Sequence, residues 1–288
     1  MSAFESEEPV TSSVAQDPPR RWTAVRSKAL KALRAHPLIE QKLTNRPQYT
    51  DVIGDRRMLR FLEAEDYNID LSAERVNVFL NYRDENKVDD IRNEILFTPL
   101  TNPGQFPCAE KILELTGHDI IAPDCTDAAG NPLATEYYAF DGGKFMEQVT
   151  KEEYIRFMLY SFELRNLCLE QLSHNKEKEN LSKMQKDRDE RAAKGESSKS
   201  DSEKPYGVLL RMNIIRDFSG LTLTNFAKTQ GMTGWVVPLA KDCYPETLEK
   251  AYVFCSMIFL PSFLPFLVCD EGLSLSHSLD LLPPVCIL

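Results

Sequence analysis

Residues 174–204 have almost nothing to bury. Well over half of them are charged or serine, both signs are mixed, and Leu181 and Met184 are the only large apolar side chains. Any fold must carry this stretch on its outside, either as a solvated helical extension or as a surface loop. The segments on either side can build a core. Over 150–172, Tyr154, Met158, Ser161, Leu164 and Cys168 recur in helical register. Residues 206–217 alternate as a strand does, with Val208, Leu210, Met212 and Ile214 on one face and Arg211 and Asn213 on the other. Ahead of the long helix, Ile120 to Ala122 and the run LATEYYAF read as a hairpin, with Gly130 and Asn131 of DAAGNP at the bend. A helix over 224–244, interrupted at Gly231 to Gly234, should lead into a short helix end at Leu248 and a final strand near Phe254. Strands interleaved with helices predict an α/β fold whose sheet carries crossovers.

The N-terminal part has a different character. Residues 1–19 are rich in Ser, Glu and Pro and are expected to be disordered. Residues 20–48 open with Arg20, Arg21, Arg26, Lys28, Lys31 and Arg34, with no acidic residue among them, while Trp22, Val25, Ala29 and Leu33 fall at helical spacing. This basic amphipathic helix can contact an anionic membrane surface or pack on the next domain with its basic face in water. Residues 49–98 form a compact helical unit. Met58, Leu59 and Leu62 lie on one side of its first helix, Asp70 is placed to cap a second, and Val76, Phe79 and Leu80 make the second stripe. Pro and Gly residues over 99–107 mark a linker.

Composition narrows the function. The 288 residues carry a formal charge of −10, which disfavours nucleic acid as a partner. Seven cysteines without a CxxC pair point to free thiols rather than a disulfide framework or a zinc site. The acidic start MSAFESEEPV lacks the layout of a signal peptide, so a cytoplasmic location is expected. No GxSxG, P-loop, HExxH or GxGxxG is present. His36, His118, His174 and His277 are scattered, and Asp124 and Asp127 read as turn residues rather than calcium ligands. Neither catalysis nor a cofactor or metal is expected.

Several motifs then occur in one order. DRRMLRFLEAEDYNID and FLNYRDENKVDDI resemble the helical N-terminal module of the CRAL-TRIO lipid-binding family, which includes phosphatidylinositol/phosphatidylcholine transfer proteins. Asp127-x-x-Gly130-x-Pro132 resembles the DxxGxP turn of that family, and Glu163 sits in a helix like the one that follows it. IIRDFSGLTL resembles the strand end of the family through Asp217 and Gly220, and Tyr244-Pro245-Glu246 matches its YPE motif. The resemblance implies a small helical domain over 49–98 and a lipid-binding lobe over 104–254, with 174–204 as a charged insertion. In that lobe a mixed sheet floors an apolar pocket that helices close. It makes Val208, Leu210, Met212, Ile214 and Met158 candidate pocket residues and Glu246 a candidate headgroup ligand. The implied ligand is a phospholipid such as phosphatidylinositol or phosphatidylcholine, carried by a monomer that visits membranes through its basic helix. A lipid-sensing module without transfer activity, or an inactive truncated isoform, are the alternatives.

The chain also departs from the pattern. Where related transfer proteins carry a basic RARKF-like stretch, it has Glu63-Ala64-Glu65-Asp66-Tyr67, a reversal expected to repel phosphate. No lysine follows Lys250 to pair with Glu246. From residue 255 the match stops, and an apolar, proline-interrupted tail takes over. We expect this tail to be intron read-through or an alternative end. As an anchor it is short, since about fifteen residues span roughly 22 Å against about 30 Å of hydrocarbon.

Overall fold

The computed structural model describes residues 19–98, 100–117, 119–137, 140–194, 208–219 and 222–254. The expectations for residues 1–18, for the tail after Phe254, and for His118 and Gly220 lie outside these residues. The chain opens with α1 (Pro19–Arg34), α2 (Glu40–Thr44), α3 (Thr50–Ile53), α4 (Asp55–Ala64), α5 (Ile69–Glu85) and α6 (Val88–Phe97). A 3₁₀ turn at Pro103–Gln105 lies within the expected linker. There follow α7 (Ala109–Thr116), β1 (Asp119–Thr126), β2 (Pro132–Tyr137), α8 (Gly142–Gln148), α9 (Lys151–Ala193), β3 (Met212–Asp217), α10 (Leu223–Cys243) and β4 (Leu248–Phe254).

In the helical unit, Met58, Leu59, Phe61 and Leu62 of α4 are fully buried, and Phe61 meets Phe79 of α5 with ring centroids 5.2 Å apart. The cap of α5 is Asn68, whose side chain accepts from the Leu71 amide, and not Asp70. Asp70 falls inside the first turn, where its carboxylate meets His36 Nε2 at 3.2 Å. The basic helix α1 packs on α4 and α5 through Ala29, Leu30 and Leu33. Burying each of the two leucines stabilises this docking by roughly 1.5–3 kcal/mol. Arg34 donates to Asp55 Oδ1 at 2.7 Å and to the Ile53 carbonyl at 2.8 Å, while Lys28 and Lys31 stay exposed.

The lobe holds a four-stranded mixed sheet in the order β1-β2-β3-β4. β1 and β2 form the expected antiparallel hairpin, and β3 and β4 extend it in parallel. Asp127 organises the hairpin turn, accepting from the amides of Ala129 and Asn131 at 2.9 Å each. Its carboxylate also takes the side-chain amides of Asn131 and Asn213, both at 3.0 Å. Four N–H donors on one carboxylate explain a pKa below the usual range, because bonding to the charged form outweighs the opposing effect of burial. Among the described residues no group of His, Cys, Asp and Glu could hold a metal ion.

Two elements differ from expectation. α10 runs unbroken through Gly231, Gly234 and Pro238, because Met232, Val236, Leu239 and Cys243 fall on one buried face against α5, α8 and α9. That burial offsets the cost of glycine in a helix, about 1 kcal/mol each. β4 is strand from Leu248 onward, with no helical end before it. The charged stretch is helical as far as Ala193, and every side chain from 181 to 191 is exposed. Pairs such as Lys183 with Glu179 at 2.6 Å and Gln185 with Asp189 at 2.8 Å support it. Each such pair contributes roughly 0.2–0.5 kcal/mol.

Candidate functional site

The helical unit and the lobe meet over a sealed ionic cluster. Arg83 of α5 donates to both oxygens of Glu163 on α9, at 2.8 and 3.1 Å, and the Tyr244 hydroxyl donates to Glu163 Oε1 at 2.7 Å. Arg57 lies between the rings of Phe79 and Tyr244, with centroids 5.0 and 5.4 Å away, and donates from Nε to the Asp51 carbonyl at 3.1 Å. Asp51 in turn accepts two bonds from Arg92, each 2.6 Å long. Burial alone would lower the pKa of Arg83, but Glu163 outweighs it and the net shift is upward. Burial, reinforced by Glu163, drives the Tyr244 phenol well above its ordinary value. The cluster holds charges fixed in a dry place, a job of architecture.

Tyr244 begins the Tyr244-Pro245-Glu246 turn that leads from α10 into β4. Glu246 adopts a left-handed backbone at φ 54°, a conformation costing a non-glycine residue about 1–2 kcal/mol. Buried Arg60 holds it there, donating to the Glu246 carbonyl and, at 2.6 Å, to the Leu210 carbonyl. Burial, with Arg57 and Arg211 nearby, pushes the Arg60 pKa down to about 9, which leaves it charged at neutral pH.

Outside this brace lies a second, half-exposed cluster. Arg211 Nη2 bridges Glu63 Oε2 at 2.9 Å and Glu246 Oε2 at 2.8 Å, and its Nη1 approaches Glu249 Oε2 at 3.6 Å. Arg26 of α1 reaches the other oxygen of Glu63 at 2.5 Å. The repulsion expected of the acidic stretch is therefore muted. Glu63 is neutralised by two arginines, and Glu65 pairs with Arg75. Glu246 does gain a cationic partner, supplied by Arg211 just ahead of β3 instead of by a later lysine. Sequence reasoning placed Arg211 on the back of a strand and Arg26 on the basic face of α1, and passed over Arg60 and Glu249. The available signal was a charged residue, Arg211, in the run VLLRMNII, whose other members apart from Asn213 are apolar.

The two faces of the sheet are unlike. β2 alternates, with Ala134 and Glu136 buried and Leu133, Thr135 and Tyr137 half-buried. Ile214 pairs with Ala134 in register and so shares the buried face. There Glu136 is held by Arg165 of α9 at 2.6 Å and by Arg216 at 3.0 Å. Burial would raise the Glu136 pKa, but the two guanidiniums bring it down to about 2. α9 thus covers the face of Met212 and Ile214, which join Leu210 in the continuous core. Val208 and Met158 are partly buried at its margin, and Val208 and Leu210 lie ahead of the strand proper. The opposite face carries Ile120, Leu133, Thr135, Ile215 and Tyr252, none of them fully buried, together with buried Asn213 and the charged Asp217 and Lys250.

A helical unit beside a lobe with a four-stranded mixed sheet and crossover helices makes a mixed α/β architecture consistent with a Sec14-like fold. In particular, the chain is similar to the crystal structure of Sfh5, with a TM-score of 0.52 over 91% of this chain and 78% of that one. At 14% identity the likeness concerns the fold. No family model matches the sequence, and no curated protein does. Among the described residues, no helix is long and apolar enough to cross a membrane.

Proposed function

We propose that this chain binds a phospholipid in its α/β lobe and carries or presents it at membrane surfaces, without catalysing a reaction on it. The observation that carries this reading is the asymmetry of the sheet. One face is buried on the side of α9, and the other is half-covered, with Ile120, Leu133, Ile215 and Tyr252 set among Thr135, Asn213, Asp217 and Lys250 and a half-exposed charged cluster where β3 and β4 begin. Acyl chains on the half-covered face would leave the headgroup at Glu246 and Arg211. A ligand reaching Leu210, Met212 and Ile214 would require α9 to move aside, whereas Val208, and Met158 on α9 itself, lie at the margin of that core. The Sec14-like fold supports the same reading.

The energetic demand explains why such a lobe must enclose its guest. Two acyl chains hold on the order of thirty methylenes, and exposing them to water at about 0.8 kcal/mol each costs roughly 25 kcal/mol. A ligand of this kind leaves a membrane only for a site that keeps it dry. Exposed Lys28 and Lys31 on α1 offer attraction to an anionic bilayer, worth about 1 kcal/mol each at the surface.

Native mass spectrometry of the purified chain tests the proposal. A bound phospholipid is the expected result, and a chain that stays empty after incubation with vesicles sinks it. Vesicle-to-vesicle transfer then separates a carrier from a lipid sensor. A photoreactive lipid that labels Ile215 in preference to Ile214 would support the half-covered face as the seat of the chains.

A further inference from the structure

The half-exposed cluster has a charge pattern that selects among headgroups, an inference that rests on the lipid-binding reading above. Both oxygens of Glu63 are engaged, by Arg26 at 2.5 Å and Arg211 at 2.9 Å. The guanidinium of Arg60 is turned inward onto main-chain carbonyls. What faces solvent is Arg211 at 24% side-chain exposure, flanked by Glu246 at 33% and Glu249 at 31%.

These three groups have bonding capacity to spare. Among the described residues, Glu246 has Arg211 as its side-chain partner, and Glu249 has the 3.6 Å approach of Arg211 Nη1, too long for a hydrogen bond. A carboxylate offers about four acceptor sites, so most of those on Glu246 and Glu249 are open. Arg26, Arg60 and Arg211 balance Glu63, Glu246 and Glu249, and the cluster sums to zero charge. An anionic headgroup gains no net attraction there. A headgroup that is itself zwitterionic can set its cation against the carboxylates and its anion against the guanidinium.

We propose that Arg211, Glu246 and Glu249 recognise a phosphoethanolamine-type headgroup, with the phosphate on Arg211 Nη1 and the primary ammonium between the two carboxylates. The ammonium has three N–H donors for the open acceptor sites. A trimethylammonium has none, so choline is the weaker match. Phosphoserine adds a carboxylate that would face two glutamates. A polyol phosphate keeps its negative charge and leaves Glu249 without a cation.

The test exchanges the full chain against vesicles with equal shares of phosphatidylethanolamine, phosphatidylcholine, phosphatidylserine and phosphatidylinositol, then quantifies the retained lipid by mass spectrometry. Phosphatidylethanolamine should exceed the serine and inositol lipids by about tenfold, a modest return for close charge pairs. Glu249→Lys should reverse that preference, and Glu249→Gln should erase most of it by lowering the phosphatidylethanolamine share, with the melting curve unchanged. A purely structural role for Glu249 would lower occupancy for every headgroup alike. Predominance of phosphatidylinositol, or retention in the proportions offered, overturns the headgroup assignment and leaves lipid binding standing. A chain empty in every arm overturns both. A final arm offers soluble phosphoethanolamine, and its binding to a chain that takes no lipid from vesicles would overturn the lipid source.

Discussion

Glu163 and Glu246 are both carboxylates held by arginines, and both are tied to the same short turn. Glu163 is sealed from water, bonded on one oxygen by Arg83 and Tyr244 and on the other by Arg83 again. Glu246, two residues beyond Tyr244, is a third exposed and shares a single nitrogen of Arg211 with Glu63. The difference is one of access to water. A cluster sealed from water joins two parts of a fold and is closed to a ligand, even though Arg57 Nη1 and Nη2 are buried there without a hydrogen-bond partner. An open cluster with spare lone pairs contributes little to stability and keeps its capacity for a ligand. The rigid cluster also positions the open one, since Tyr244 and Arg60 fix both ends of the turn that presents Glu246.

The sharpest way to break this comparison is to remove the sealed carboxylate. Glu163→Ala leaves the Arg83 and Arg57 charges buried without it and should cost about 3–5 kcal/mol in urea unfolding. Arg83 would keep Asp89, which accepts from its Nε at 2.7 Å, so a loss under about 1 kcal/mol would mean that this one pair suffices at the junction, and the contrast would collapse. Glu136 offers a second test through pH. Its pKa falls from an ordinary 4.5 to about 2 in the folded chain, so the native state binds fewer protons than the unfolded state between those values. Its contribution is fully present above about pH 4.5 and is lost as pH falls towards 2, on the order of 3 kcal/mol in all. Acid unfolding of the wild type should steepen in that window, and Glu136→Gln should start less stable and lack that part of the slope.

Much of the fold was legible because its signals are local. The α4 stripe, the DAAGNP hairpin and the YPE turn are short patterns whose neighbours in sequence are also neighbours in space. The unbroken α10 was not, because the burial that offsets Gly231 and Gly234 comes from α5, α8 and α9. Neither was the facing of the sheet. Alternation correctly paired Met212 with Ile214, but no pattern within a strand says which face a distant helix will cover. The site was half legible: Glu246 was visible as part of a motif. Its partners Arg211, Glu63 and Arg26 come from three separate elements, and nothing local marks them as a group.

Tyr244→Phe removes the bond that ties the turn to the sealed cluster while keeping the ring against Arg57. A hydrogen bond to a charged group is worth about 1.5–3 kcal/mol, so stability should fall by about 2 kcal/mol. If Tyr244 positions Glu246, headgroup preference should also weaken in this variant although the glutamate is intact. Unchanged preference with lowered stability would confine Tyr244 to architecture.

The smallest expected effect is the most informative about the open cluster. Glu249 sits in β4 with Arg211 Nη1 no nearer than 3.6 Å, and half-exposed pairs of this kind contribute about 0–1 kcal/mol. Glu249→Gln should therefore leave the unfolding midpoint within about 0.5 kcal/mol of wild type, far from the loss expected at Glu163. A destabilisation approaching that of Glu163→Ala would make Glu249 a structural counter-ion for Arg211. The two clusters would then differ in exposure without differing in role, because a carboxylate already committed to the fold has no charge left to offer a headgroup.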